Sequence, residues 1–462
     1  MDNENIVATQ CAAQTSIYDT PDYKRSRMSY LIECAFEYFV ALMASGVFLD
    51  ALLQDLQLDD GTKMIVQSLI SLAFLFQLFA IFVVQHISNV KVFAVTVHII
   101  GQVMFMVLYL IPFLGYFTDN AFVAWAWEHR AIWLIVGMLI AYFGNYLVTS
   151  MIYKWGNSFV EPHHRARYSA TKEMVSLLSG MVVTLGVGFA LDIFSDPERG
   201  QMISGIENIH VGFIFVAVAT LIFCICDFVC LMLIKGEKKP KSEKKDIVPL
   251  REVMRNTLGN KKFIYVMILM ILWDVGRFVV VGSLASYQTN KTELALSVFV
   301  VTIIANAGCL ARFFVSRPFG KFSDKYSYAK GIELALILAA VGFACCVFTT
   351  PETKWLIVGY VLLYNMCQAG ISQNMHNILY SYVDSRYFVQ ASAIKNSVAG
   401  VLGFVASLGA SKLLDHIQAN GNMLFGIHVY AQQVLGLIAC IVMVGTVFFV
   451  HFVIAKQKAM VQ

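Results

Sequence analysis

Apolar residues run along this chain in blocks of about twenty, parted by short polar breaks. A helix needs about 20 such residues to cross roughly 30 Å of hydrocarbon. The blocks predict twelve spanning helices, near 30–53, 64–85, 91–114, 131–154, 171–194, 211–234, 263–287, 294–316, 328–350, 355–380, 390–413 and 427–455. Helices are forced, because lipid offers the backbone no hydrogen-bond partner, and the alternating pattern of a membrane barrel is absent. The segment 1–28 is polar and reads as cytoplasmic rather than as a signal peptide. The expected fold class is an all-α membrane protein.

Composition agrees and narrows the function classes. Hydrophobic residues make up 58% of the 462 and charged residues 14%, against about 45–50% and 25% in soluble domains. A net charge of +4 gives no footing for a nucleic-acid partner. The ten cysteines are scattered through apolar stretches, which speaks against a disulfide scaffold. Cys224, Cys226 and Cys230 cluster, but only Cys226 and Cys230 share a face and no histidine joins them, so no metal site is expected. No P-loop, HExxH or nucleophile elbow is present. ATP-driven transport, intramembrane hydrolysis and a cofactor therefore find no support, and the chain is not expected to be an enzyme.

Lysine and arginine set the orientation. With the N-terminus inside, 26 of the 34 fall on the cytoplasmic side, six on the other, and Arg277 and Arg312 within spans. Both termini are then cytoplasmic, in the plasma membrane. The longest hydrophilic stretch, 235–262, parts two six-helix bundles at 29–234 and 263–456, with a tail at 457–462. Its lysine run is a solvated linker or a contact for anionic lipid headgroups.

The bundles are copies. Laid without a gap on 383–415, the segment 160–192 gives nine identities in 33 positions, including Lys172 with Lys395 and Asp192 with Asp415. The same register carries Tyr142, Asn145 and Thr149 onto Asn365, Gln368 and Ser372, each trio on one helical face. Repetition of polar positions cannot come from apolar bias alone.

With twelve helices, a 6 + 6 repeat and a long central loop, the chain resembles the major facilitator superfamily. One motif strengthens the resemblance: in RPFGKFSDKYSYAK, Gly320, Asp324 and Lys325 match the family's G-x-x-x-D-[RK] loop, with Ser327 where the family has glycine. The equivalent loop of the first half, VVQHISNVKV, is more decayed, with Asn89 near the acid's place. Arg165–Arg167 looks like the family's R-G-R element. The resemblance implies that Gly320, Asp324, Lys325 and Arg317 form a conformational latch, with Gly320 turning the chain at the membrane face. It also implies that helices one, four, seven and ten line a central cavity.

Charge inside a span is costly, about 2.5–3.5 kcal/mol at the bilayer centre, and so points to function. Asp274 and Arg277 lie one turn apart in the seventh helix, and Glu33 and Glu37 one turn apart in the first. Glu37, Asp274 and Glu33 are the proton-coupling candidates. Asp274 and Arg277 can instead neutralise each other, and Glu33 can snorkel to the interface. Asp227 has no basic neighbour in its span and reads as a packing residue; His98 and His376 read as isolated. Substrate-binding candidates are Arg277, which can grip a carboxylate bidentately, with Tyr142, Asn145, Thr149, Asn365, Gln368 and Ser372. Gly144, Gly180, Gly186, Gly188, Gly282, Gly400, Gly403 and Gly409 are expected at close helix approaches.

The expected function is secondary active transport of a small polar or anionic solute by alternating access, coupled to protons or another ion and directed inward. The alternatives are proton-coupled efflux of drugs or metabolites and a transporter-like receptor that moves nothing. The fifth helix lacks the Gly-Pro of the family's drug antiporters, which favours uptake.

Overall fold

The computed structural model describes residues 18–80, 87, 89–161, 165–195, 202–203, 206–236, 252, 255, 257–383 and 388–457. Most of the 235–262 linker, half of the VVQHISNVKV loop, the Arg165–Arg167 side chains and the terminal stretches 1–17 and 458–462 lie outside them. The first half comprises α1 (Pro21–Met43), α2 (Gly46–Asp55), α3 (Asp60–Ala73), α4 (Val90–Leu108), α5 (Ala121–Glu128), α6 (Arg130–Asn157), α7 (Arg165–Ser195) and α8 (Asn208–Leu233). The second comprises α9 (Lys261–Thr289), α10 (Val298–Lys325), α11 (Tyr328–Val347), α12 (Leu356–Tyr382), α13 (Phe388–Ala419) and α14 (Ala431–Phe449).

Among the described residues, eleven helical stretches are long and apolar enough to cross a membrane, the first of them α1 and α2 together. The twelfth span is α12, long enough at 27 residues but interrupted by Asn365, Gln368, Ser372, Asn374, His376 and Asn377. Val182, Phe189, Phe314 and Ile441 point outward and are exposed, as a lipid-facing belt requires.

Three differences from the sequence expectation are the largest. The first span is broken after Met43: Ser45 bonds back to the Ala41 carbonyl at 2.7 Å, and Gly46 takes a φ of +58°, a conformation that suits glycine. It also starts at Pro21, so Glu33 sits at mid-helix. The eighth span runs on through Pro318 to Lys325. Gly320 therefore lies inside a helix and makes no turn. The reversal falls to Tyr326 and Ser327, whose side chain caps α11 by accepting from the Lys330 amide at 3.2 Å.

The duplication is visible in the loops as well. A two-stranded antiparallel hairpin, Met202–Ile203 with Ile206–Glu207, joins α7 to α8. Its counterpart in the second half, Met423–Leu424 with Ile427–His428, joins α13 to α14, Met423 standing for Met202 and Ile427 for Ile206.

The halves are held together chiefly at the side away from the termini. There Asp50 of α2 accepts from Ser286 and, at 2.8 Å, from Thr289 of α9. Asp60 accepts from Gln418 at 2.8 Å, and Ser411 donates to the Gly61 carbonyl at 3.0 Å. Asp192 of α7 accepts from the Phe299 amide at 3.2 Å. Lower down, Ser68 meets Ser407, and Ser397 donates to the Phe74 carbonyl at 2.8 Å. One apolar core runs through both halves. A second, around Tyr30, Val148, Trp155 and Leu231, belongs to the first half alone, at the side of the termini.

Glycines shape these seams. A Cβ at Gly282 would meet the Met64 carbonyl at 2.9 Å, and one at Gly400 would run into the Ser71 carbonyl. Gly186 and Gly409 have nothing within 4 Å of that position, so this repeat-matched pair is not a close approach.

Candidate functional site

Four long helices, α1, α6, α9 and α12, carry the central polar groups, one from each position the resemblance implied. On α9, Asp274 is fully buried and accepts from Arg277 Nε at 2.8 Å. The Arg277 guanidinium lies over the Phe278 ring, 4.4 Å from its centre, and against Trp273. It also faces the Tyr364 hydroxyl of α12. Gln368 donates to that hydroxyl at 2.9 Å, and Tyr364 stacks on Trp273 with centroids 6.2 Å apart. From the other half, Tyr146 of α6 lies within electrostatic reach of both Arg277 and Glu37. A polar string thus crosses between the halves: Glu37, Tyr146, Arg277, Asp274, with Tyr364 and Gln368 beside it.

Lys395, one of the residues matched by the repeat, is buried and close enough to act on Asp274. Its repeat partner Lys172 lies over the Tyr30 ring, 4.6 Å from the centre, and donates to the Tyr30 hydroxyl at 3.1 Å.

The other expected residues divide. Thr149 and Ser372 are exposed, each bonded to a carbonyl of its own helix, Asn145 at 2.7 Å and Gln368 at 2.8 Å. Asn145 is buried and accepts from Gln102 of α4 at 3.0 Å, so its amide joins two helices of one half. Tyr142 is buried against Phe105. Asn365 donates to the Val361 carbonyl at 2.9 Å. Arg317, Asp324 and Lys325 are exposed, and Asp324 and Arg317 form no hydrogen bond or ion pair among the described residues. Among the described residues, the pairing expected of a latch is absent.

A cluster that sequence reasoning missed lies inside the first half. Glu33 of α1, His98 of α4 and Asp227 of α8 are all fully buried, and His98 Nε2 stands 2.9 Å from Asp227 Oδ2. Glu33 thus does not snorkel, His98 is not isolated, and Asp227 has a partner. The signal was there: two polar residues without a partner in their own spans, on helices of one bundle, complement each other.

The family profile of the Major Facilitator Superfamily matches residues 34–411. The chain belongs to that superfamily, a family of transporters. No curated protein matches it in sequence. Solved structures with the same fold include a mutant of the nucleoside transporter NupG, at 12% identity and a TM-score of 0.65, covering 94% of this chain and 100% of the other. A mutant of the peptide transporter POT in complex with alafosfalin aligns at 12% and 0.64, covering 91% and 93%. A bacterial homologue of the human lysosomal transporter Spinster, inward-facing and unoccupied, aligns at 14% and 0.62, covering 94% and 95%. The chain is accordingly a multi-pass membrane protein with a small-molecule substrate.

Proposed function

We propose that this transporter takes up a small polar or anionic solute by proton-coupled alternating access, in the plasma membrane with both termini cytoplasmic. The observation that carries the reading is the polar string from Glu37 through Tyr146 to Arg277 and Asp274, whose members lie within electrostatic reach of one another from one half to the other. Arg277 offers fixed charge and donors beside the hydroxyls of Tyr146 and Tyr364, a setting for carboxylate, hydroxyl or amide groups. Asp274 holds Arg277 until a substrate anion competes for it. Glu37, half-buried at the other end of the string, is the group that takes and releases the coupling proton.

The moving bodies are 29–234 and 263–456. The hydrogen bonds around Asp50, Asp60 and Asp192 close the far side, which in this reading is the inward-facing arrangement. In it the exposed Arg317, Asp324 and Lys325 stand apart, and they engage when the other side closes. The neighbours named for nucleosides and peptides handle polar solutes on the same fold, which agrees with the reading.

The test is thermal stabilisation of the purified protein by sugars, carboxylates, amino acids, nucleosides and lipophilic cations, at mildly acidic and neutral pH. A ligand at about 100 times its Kd stabilises by about 2.7 kcal/mol. A polar or anionic ligand that binds more tightly at acidic pH supports the proposal. Stabilisation confined to lipophilic cations moves the function to efflux, and silence across the panel favours a receptor.

A further inference from the structure

We propose that Glu33, His98 and Asp227 form a binding site for a first-row divalent transition-metal ion inside the first half, beside the Glu37 end of the central polar string. One ligating atom of each residue lies within 4.8 Å of the others', and all three side chains are fully buried. The hydrogen bonding divides each group in two. Glu33 Oε2 accepts from the Cys34 thiol at 3.1 Å, and His98 Nε2 is bonded to Asp227 Oδ2 at 2.9 Å. Glu33 Oε1, His98 Nδ1 and Asp227 Oδ1 are left without a hydrogen-bond partner. The 2.9 Å between His98 Nε2 and Asp227 Oδ2 is the spacing of two neighbouring ligands on one ion, which would take the place of their shared hydrogen, while Glu33 keeps an unpartnered oxygen for it. Buried polar atoms without partners are uncommon in native proteins and call for a cause.

Charge points to a divalent ion. The groups facing the cluster are Glu33, Cys34, Glu37 and Tyr30 from α1, His98 and Gln102 from α4, Asp227 with the Cys224 and Cys230 thiols from α8, and Lys172 and Tyr168 from α7. Three carboxylates therefore meet one ammonium. A doubly charged ion with a neutral imidazole closes that balance without further groups. Two carboxylates and an imidazole, with a thiol adjacent, are the donors of manganese, iron, cobalt or zinc sites rather than of magnesium or calcium. A way in is also present. Glu33, Cys34 and Glu37 form a second set of donors within 4.8 Å of one another. Glu37 is half-buried, so the two sets, sharing Glu33, lead inward from a more accessible donor.

The experiment is metal titration of the full-length purified protein after chelator treatment, with Co²⁺ read by visible absorption and Mn²⁺ by pulsed electron paramagnetic resonance. The expected result is one Co²⁺ per chain, displaced by Zn²⁺, and nitrogen coupling from one imidazole on bound Mn²⁺. His98→Gln, Asp227→Asn and Glu33→Gln should each weaken binding by at least about tenfold, the loss that even an outer partner of a metal ligand causes. No Co²⁺ absorption, no nitrogen coupling, or undiminished affinity in folded variants would overturn the site. If the variants do not fold, the two wild-type spectra decide alone.

Discussion

Arg277 gives its Nε–H to Asp274, one turn back on the same helix, at 2.8 Å, and so ties the fixed positive charge of the central site to a carboxylate with no exposed surface. Removing one partner of such a pair strands the other in low dielectric. Asp274→Ala should therefore cost about 3–5 kcal/mol of stability. Replacing both, as Asp274→Leu with Arg277→Met, should cost clearly less than the single change. Chemical denaturation in detergent compares them; equal losses would mean that the two residues do not depend on each other.

Arg277→Lys keeps the charge but gives up the planar fork, and the Tyr364 hydroxyl and the Phe278 face were met by that fork. Binding of a carboxylate-bearing solute should weaken by about tenfold or more, in keeping with about 1.5–3 kcal/mol for a charge-assisted hydrogen bond. Isothermal titration gives the number. Unchanged affinity would leave Arg277 as the partner of Asp274 only.

Glu37→Gln should abolish accumulation driven by a pH gradient while leaving exchange of labelled for unlabelled solute intact. Exchange does not need the proton to leave. A variant that still accumulates solute removes Glu37 from the coupling.

On the far side, in the loop between α9 and α10, Glu293 is held at about 8 instead of the ordinary 4.5, by burial and by the neighbouring Asp60. The closed arrangement thus binds the proton more tightly than an open one that exposes Glu293. Far-side closure should be strongest below about pH 4.5 and should weaken as pH rises through 8. Distances between spin labels on exposed far-side positions of the two halves should lengthen over that window. Glu293→Gln should flatten the response; a variant as pH-dependent as the parent would place the switch elsewhere.

Gly400 lets α13 lie against the Ser71 carbonyl of α3, and any Cβ there would push the halves apart. Gly400→Val should destabilise the far-side-closed arrangement by about 1–3 kcal/mol, lowering Tm, whereas Gly409→Val, with open space around it, should not. Matching Tm values would contradict the seam.

What the sequence revealed, and what it hid, follows from the range of each interaction. Spans, the duplication and the intrahelical Asp274–Arg277 pair were legible because apolar length, repeated polar spacing and one-turn contacts are local in the chain. The break at Gly46 was not, since a single glycine in an apolar run is compatible with an unbroken helix. Nor was the passage through Pro318, because proline's missing donor is tolerated where neighbouring helices hold the turn. Asn145 looked like a cavity residue because its face was right; only the structure brings Gln102 to it. Glu33, His98 and Asp227 lie far apart along the chain, and their meeting depends on how α1, α4 and α8 rotate about their axes.

In the proposed mechanism, solute uptake is coupled to protons through the string between Glu37 and Arg277. The most direct measurement uses proteoliposomes with a pH dye in the lumen, into which no gradient has been loaded, challenged with each solute of the panel. A polar or anionic solute should acidify the lumen, and Glu37→Gln should abolish the signal while still exchanging solute. Solute entry with no change in lumenal pH would contradict it.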